Sequence, residues 1–119
     1  GLTYDGQTLT VYGNTYVDSA VVTGVSTNTA VLTLPSSTGQ SAYFEYVVYD
    51  AATSSMRAGT ILCVWNSTGA TYTDTSTTDL GPSTTGIEFQ VTSIGGTVTL
   101  NAIVSTGVWN IKVGTRVIF

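Results

Sequence analysis

Ser41-Ala-Tyr-Phe-Glu-Tyr-Val-Val-Tyr-Asp50 carries a large apolar body at most of its positions, and its alternation decides the fold. Read with a period of two, Ala42, Phe44, Tyr46 and Val48 fall on one face and Tyr43, Glu45, Val47 and Tyr49 on the other. Aromatic and β-branched residues suit a pleated surface, so the stretch reads as a strand. A strand with two apolar faces is buried on one side by its own sandwich and covered on the other, with another subunit as the natural cover.

The same period continues outward. Ala51–Ser55 reads as a turn, after which Met56–Asn66 sets Met56, Ala58, Thr60, Leu62 and Val64 against Arg57, Gly59, Ile61, Cys63 and Trp65. Gly59 marks a bulge or a close approach of another backbone. Asn66-Ser-Thr-Gly69 is a hairpin turn leading to a short strand at Ala70–Asp74, and Thr75–Thr85 is the longest polar segment, with breakers at Asp79, Gly81, Pro82 and Gly86. Further strands are expected at Ile87–Val91, Thr97–Val104 and Val108–Val113 running on to Phe119, with turns at Ser93–Gly96 and Ser105–Gly107. Upstream, the strand Thr29–Leu34 is stopped by Pro35. Ile87/Phe89/Val91, Val98/Leu100/Ala102/Val104 and Trp109/Ile111/Val113 are the cleanest core faces. Short connections and no helical period predict an all-β chain, an antiparallel β-sandwich and most simply a jelly roll.

Residues 1–24 differ from the rest. Leu9–Asn14, Tyr16-Val17 and Ala20–Gly24 are short apolar steps punctuated by Gly6, Gly13 and Gly24, with Asp5, Asn14 and Asp18 at turn-prone places. Each has too few apolar residues to bury a face alone. The segment is expected to stack on copies in other chains or on a neighbouring domain, or else to lie as peripheral strands on the sandwich. The expected division is a shaft-like or collar β segment over 1–24 and a β-sandwich head domain over 25–119.

Composition narrows the chemistry. Among 119 residues there are 24 Thr and 12 Ser against three basic residues, seven acidic ones and no His. Such strands meet water through hydroxyls. A net charge of −4, with Arg57, Lys112 and Arg116 as the whole basic complement, argues against nucleic acid. No apolar stretch approaches the roughly 20 residues of a membrane span, so no membrane insertion is expected. Cys63, the sole cysteine, allows no intrachain disulfide and reads as a small buried hydrophobe. Without His, the usual Ser-His and Cys-His nucleophiles are unavailable. What remains for an enzyme is a carboxylate pair in a cleft. Glu45 and Glu88 are the strand-borne candidates, expected instead to be solvated or interfacial near Arg57, Lys112 or Arg116. Asp74, Asp79, Thr75 and Ser76 offer hard oxygens for a weak Ca²⁺ site, yet no D-x-D-x-D loop is present and turn hydrogen bonds are the plainer expectation. No catalytic residue, metal or cofactor is predicted.

Tyr supplies the remaining surface. Tyr43, Tyr46 and Tyr49 share one strand, while Tyr4, Tyr12, Tyr16 and Tyr72 lie near turns. Large area, few torsions and a polar tip favour Tyr at protein contacts and sugar platforms. Tyr43, Tyr46, Tyr49 and Tyr72, with Asp74 and Asp79, form the candidate interface or receptor-contact set.

Ala42-Tyr-Phe-Glu-Tyr-Val-Val-Tyr49, Met56-Arg-Ala-Gly-Thr60 running to Val64-Trp65, Tyr72-Thr-Asp-Thr-Ser-Thr-Thr-Asp-Leu-Gly81, Gly96-Thr-Val-Thr-Leu-Asn-Ala102 and Gly107-Val-Trp-Asn-Ile-Lys-Val113 follow in an order that resembles bacteriophage tail-fibre and related virion structural proteins. Leu9–Val17 and Val21–Gly24 are similar to the short repeats of fibre shafts. The resemblance implies a homotrimeric, β-rich fibre segment with a terminal head, facing outward from a virion beside other virion proteins. It brings no catalytic residues. The leading expectation is therefore a non-enzymatic structural module at the tip of a phage fibre, able to contact a host surface glycan or protein. The alternatives are a capsid decoration or trimerisation cap without receptor contact, and a freestanding carbohydrate-binding module.

Overall fold

A computed structural model describes the backbone of residues 2–4, 9–11 and 15–118 and the side chains of residues 19–118. The expected turn at Gly13-Asn14, together with Asp5, Gly6, Tyr12 and Phe119, lies outside the described residues. The strands are β1 (Leu2–Tyr4), β2 (Leu9–Val11), β3 (Thr15–Val25), β4 (Thr29–Pro35), β5 (Ser41–Asp50), β6 (Ser55–Asn66), β7 (Gly69–Ser76), β8 (Ile87–Ile94), β9 (Thr97–Val104) and β10 (Trp109–Ile118), with one 3₁₀ turn at Ser36–Thr38. They form a large sheet in the order β1-β2-β3-β10-β5-β6-β7 and a small one in the order β4-β9-β8. All pairings are antiparallel. The chain is an all-β sandwich.

Three consecutive strands share the large sheet: β5 and β6 are joined by 51–54 and β6 and β7 by 67–68, each as a hairpin between paired neighbours, whereas 26–28 and 105–108 carry the chain from one sheet to the other. At the tip of β8–β9, Gly95 and Gly96 have φ of 59° and 82°, the pair of positive values that a two-residue I′ hairpin requires. Strands β3 to β10 number eight, but their division five and three and the consecutive β5-β6-β7 neighbours depart from the expected jelly roll.

Tyr16-Val17 and Ala20–Gly24 belong to one strand. β3 runs along β10 from Val25 opposite Trp109 to Thr15 opposite Ile118, with one register shift between Trp109 and Ile111. Register with β5 is regular throughout: Ile111, Val113, Thr115 and Val117 stand opposite Val48, Tyr46, Phe44 and Ala42. These positions, with Ile61, Cys63 and Trp65 of β6, form the inner face of the large sheet and are all buried. Facing them are Ile87, Phe89 and Val91 of β8, Val98, Leu100 and Ala102 of β9, and Val31, Leu32 and Leu34 of β4. A register shift between Ala30 and Leu32 buries two successive β4 side chains, which strict alternation forbids. Each fully buried Phe44, Ile61, Ile87, Leu100 or Ile111 contributes about 1.5–3 kcal/mol of apolar burial.

Candidate functional site: the outer face of the large sheet

The two outer faces of the sandwich differ in chemistry. On the small sheet, Thr33, Thr99 and Thr92 stand in one row and Ala30, Asn101 and Gln90 in the next. That face meets water through hydroxyls and amides, with Ile94, 75% exposed, and the half-buried Ile103 among them. Across the large sheet the corresponding rows are Val21–Lys112–Val47–Ala58, Ser19–Gly114–Glu45–Thr60–Thr75, Arg116–Tyr43–Leu62–Thr73 and Ile118–Ser41–Val64–Thr71. Val21, Leu62, Val64 and Ile118 are 66, 52, 50 and 47% exposed, and Val47 is exposed beside them. By register, Leu2 and Val11 line up with Thr15 and Ile118, and Tyr4 and Leu9 with Val17 and Arg116.

The centre of this face is a shallow trough of about 770 Å³, lined among others by Val21, Glu45, Val47, Thr60, Thr75, Lys112 and Gly114. A second hollow of about 420 Å³ adjoins it and adds Thr23, Tyr49, Met56 and Asn110. Gly114 deepens the trough, because a Cβ there would meet nothing within 4 Å. Its neighbours along β10 are the exposed cations Lys112 and Arg116, and its neighbour across the ladder is the exposed Glu45. The Arg116 guanidinium lies 5.5 Å from the Tyr43 ring centre, within cation–π range. Among the described residues none of these three charges forms an ion pair.

The interior holds a second polar constellation. Arg57 lies on the inner face of β6, where its guanidinium donates to the Tyr46 hydroxyl at 3.2 Å, to the Thr84 carbonyl and hydroxyl at 3.0 Å each, and to the Ile87 carbonyl at 3.0 Å. The Tyr46 hydroxyl in turn donates to Asp74 at 2.8 Å. Asp79 accepts from the Thr84 hydroxyl and from its backbone N–H at 2.9 Å. This network ties the loop 77–86 to both sheets. Burial raises the Tyr46 phenol above its ordinary value, with Arg57 opposing. The Thr84 hydroxyl, then its N–H, holds the Asp79 carboxyl below its ordinary value.

The candidate residues therefore separate. Tyr43 and Tyr49 lie half-buried on the outer face of the large sheet, and Tyr72 is 37% exposed on the edge strand β7. Tyr46 is buried against Phe89, ring centres 4.5 Å apart, and its hydroxyl is occupied by Asp74 and Arg57. Asp79 fixes its own loop through Thr84. Glu45 is exposed on the large sheet and Glu88 on the small one, on opposite sides of the sandwich, so they share no cleft. Glu45 has Lys112 and Arg116 on the adjacent strand, as expected, whereas Arg57 turns inward to Thr84 and Ile87. Cys63 is buried, and burial pushes its thiol up to about 11. Among the described residues no three His, Cys, Asp or Glu side chains are grouped to hold a metal, and no helix is long and apolar enough to cross a membrane. Sequence reading gave no role to Gly114 or Thr84, although the pattern Lys112-Val-Gly-Thr-Arg116 already places a gap between two cations on one strand face.

No protein-family model and no curated protein matches the sequence. Among solved structures, the fold is similar to part of the tailspike protein of Acinetobacter baumannii phage AM24, at a TM-score of 0.45 and 9% identity. The similarity covers 88% of this chain and 26% of the tailspike chain.

Proposed function

We propose that this chain is a virion structural module whose large sheet packs, by its outer face, against copies of itself, forming the homotrimeric tip or head of a phage fibre-like assembly. The observation that carries the reading is the outer face of the large sheet, where Val21, Val47, Leu62, Val64 and Ile118 stand exposed among Lys112, Arg116, Glu45 and Thr60, while on the outer face of the small sheet Ile94 is the comparably exposed apolar residue. Exposed apolar residues gathered on one face and rimmed by polar ones mark an interaction surface. In this reading residues 1–24 set the register of assembly and enter the head's own sheet through β3, and 25–119 form the head. Contact with a host glycan or protein falls to Tyr72 and the segment 75–86, whose side chains are mostly exposed.

Size-exclusion chromatography with light scattering tests the assembly. The expected mass is about three times the 12.4 kDa protomer, and a monomer at micromolar concentration overturns the proposal. For attachment, replacing Tyr72 and residues of 77–86 is expected to abolish adsorption to host cells while leaving the oligomer intact.

A further inference from the structure

Gly114 interrupts the fourth of the seven strands in the large sheet, on the face that bears the exposed apolar rows. Space for a side chain is open there, since a Cβ would meet nothing within 4 Å. Lys112 and Arg116 stand two residues away on either side, about 7 Å along the strand. The result is a socket with two cationic walls. Its complement sits one strand over, for Glu45 is in register with Gly114 on β5, exposed and in no ion pair among the described residues.

We infer that Gly114 is the socket of the copy–copy contact, taking Glu45 of a neighbouring copy between Lys112 and Arg116. The inference rests on the self-association reading above and names the lock within it. A three-fold axis parallel to the strands and in front of the β10–β5 boundary preserves height along them, so it carries β5 of one copy toward β10 of the next at the same level. Register then puts Glu45 at Gly114, Val47 at the aliphatic stem of Lys112 and the Tyr43 ring at Arg116. Within one chain the carboxylate and the socket lie side by side on adjacent strands. Only a second copy can place one above the other.

The five long strands β3, β10, β5, β6 and β7, at about 4.8 Å spacing and about eight residues at about 3.3 Å rise, give a face of roughly 600 Å², divided in a trimer between two neighbouring copies, so specific polar contacts must supplement its apolar area. Taking the pair out of water strengthens it, and truncating one member of a buried charge pair typically weakens association about 100-fold.

The test uses Gly114→Val, which fills the socket without straining the fold. A Val suits a strand, the space outside is open, and Gly114 is not among the positions with left-handed backbone. The variant is expected to keep or raise the thermal midpoint of the folded chain while weakening oligomerisation at least about 100-fold by light scattering across a dilution series. Glu45→Lys and the pair Lys112→Glu/Arg116→Glu should each do the same, and the three changes combined should restore the oligomer. If the unmodified chain is a monomer, the self-association reading fails and this inference with it. Should the unmodified chain assemble and Gly114→Val assemble equally well, the socket is overturned and the self-association reading stands.

Discussion

Replacing Gly59 by Ala is the sharpest single test of the core. A Cβ built on Gly59 lies 2.6 Å from both Cζ and the hydroxyl oxygen of Tyr46 and 2.8 Å from the Thr75 carbonyl oxygen. Ordinary contact begins at 3.4 Å, so the ring would have to withdraw by about 0.8 Å. It has nowhere to go. Phe89 packs against it with ring centres 4.5 Å apart, Asp74 holds its hydroxyl at 2.8 Å, and Arg57 holds the same oxygen at 3.2 Å. Overpacking of this kind costs about 1–3 kcal/mol, and a broken Tyr46–Asp74 hydrogen bond about 1 more. Ala regains about 0.5–1 kcal/mol over Gly within a strand. The net expectation is a loss of about 2 kcal/mol, a fall of roughly 8 °C in midpoint for a chain of this size. Urea denaturation followed by the fluorescence of the buried Trp65 and Trp109 reads it directly. In a Tyr46→Ala background the same substitution should cost less than in the unmodified chain, because the ring is gone and the Thr75 carbonyl oxygen at 2.8 Å is the remaining obstruction. A Gly59→Ala chain as stable as the unmodified one would refute the reasoning, since it would mean that Tyr46 does not occupy this space.

Arg57→Ala removes four hydrogen bonds, to Tyr46, Thr84 (two) and Ile87, and is expected to cost about 3 kcal/mol, measured by the same denaturation. Arg57→Lys should recover no more than about 1 kcal/mol of this, because an ammonium cannot reach Thr84, Ile87 and Tyr46 together as the guanidinium fork does. Cys63 carries a thiol raised by burial from 9.0 to about 11. A raised acid contributes stability that is complete below the unfolded value and is lost as pH climbs through the folded one. Between pH 9 and 11 the chain should therefore lose stability on the order of 2–3 kcal/mol through this group. Cys63→Ala should lack that part of the alkaline limb while keeping the part that Tyr46 shares in direction, and identical limbs in the two chains would exclude the assignment.

The strands were legible where alternation and turn chemistry agreed. Ala42/Phe44/Tyr46/Val48 faces the core and Tyr43/Glu45/Val47/Tyr49 faces out, because the first set is in register with Ile61 and Cys63 and the second with Leu62 and Thr60. The hairpins at 67–68 and 95–96 followed equally from Asn and Gly. Arg57 was not legible in this way. A cation on a strand reads as solvent-facing, and what draws this one inward is a set of carbonyls on a loop 27 to 30 residues away, which no local pattern announces. Tyr46 was misleading for a related reason, since its polar tip counts as surface until Asp74 is brought beneath it by β7. Gly59 was read as a close approach, and the approaching group is the Tyr46 ring together with the Thr75 backbone.

The outer face of the large sheet poses a problem of register as well as of attraction. Val21, Val47, Leu62 and Val64 gain from burial in any sliding position, because apolar contact is non-directional. A slip of two residues along the strands keeps the alternation of faces and would bury almost as much apolar surface. It would not keep the polar match. Glu45 would then stand over the side chain of Lys112 or Arg116 instead of in the gap at Gly114, leaving the other cation without a carboxylate and setting Val47 or Tyr43 over the empty position. An unpaired cation buried between sheets costs several kcal/mol, more than the small difference in apolar area can offset. Three charges and one missing side chain thus discriminate between alignments that the apolar rows alone leave nearly equal, which is the service a sparse set of ionic residues can perform in a chain otherwise built from hydroxyls.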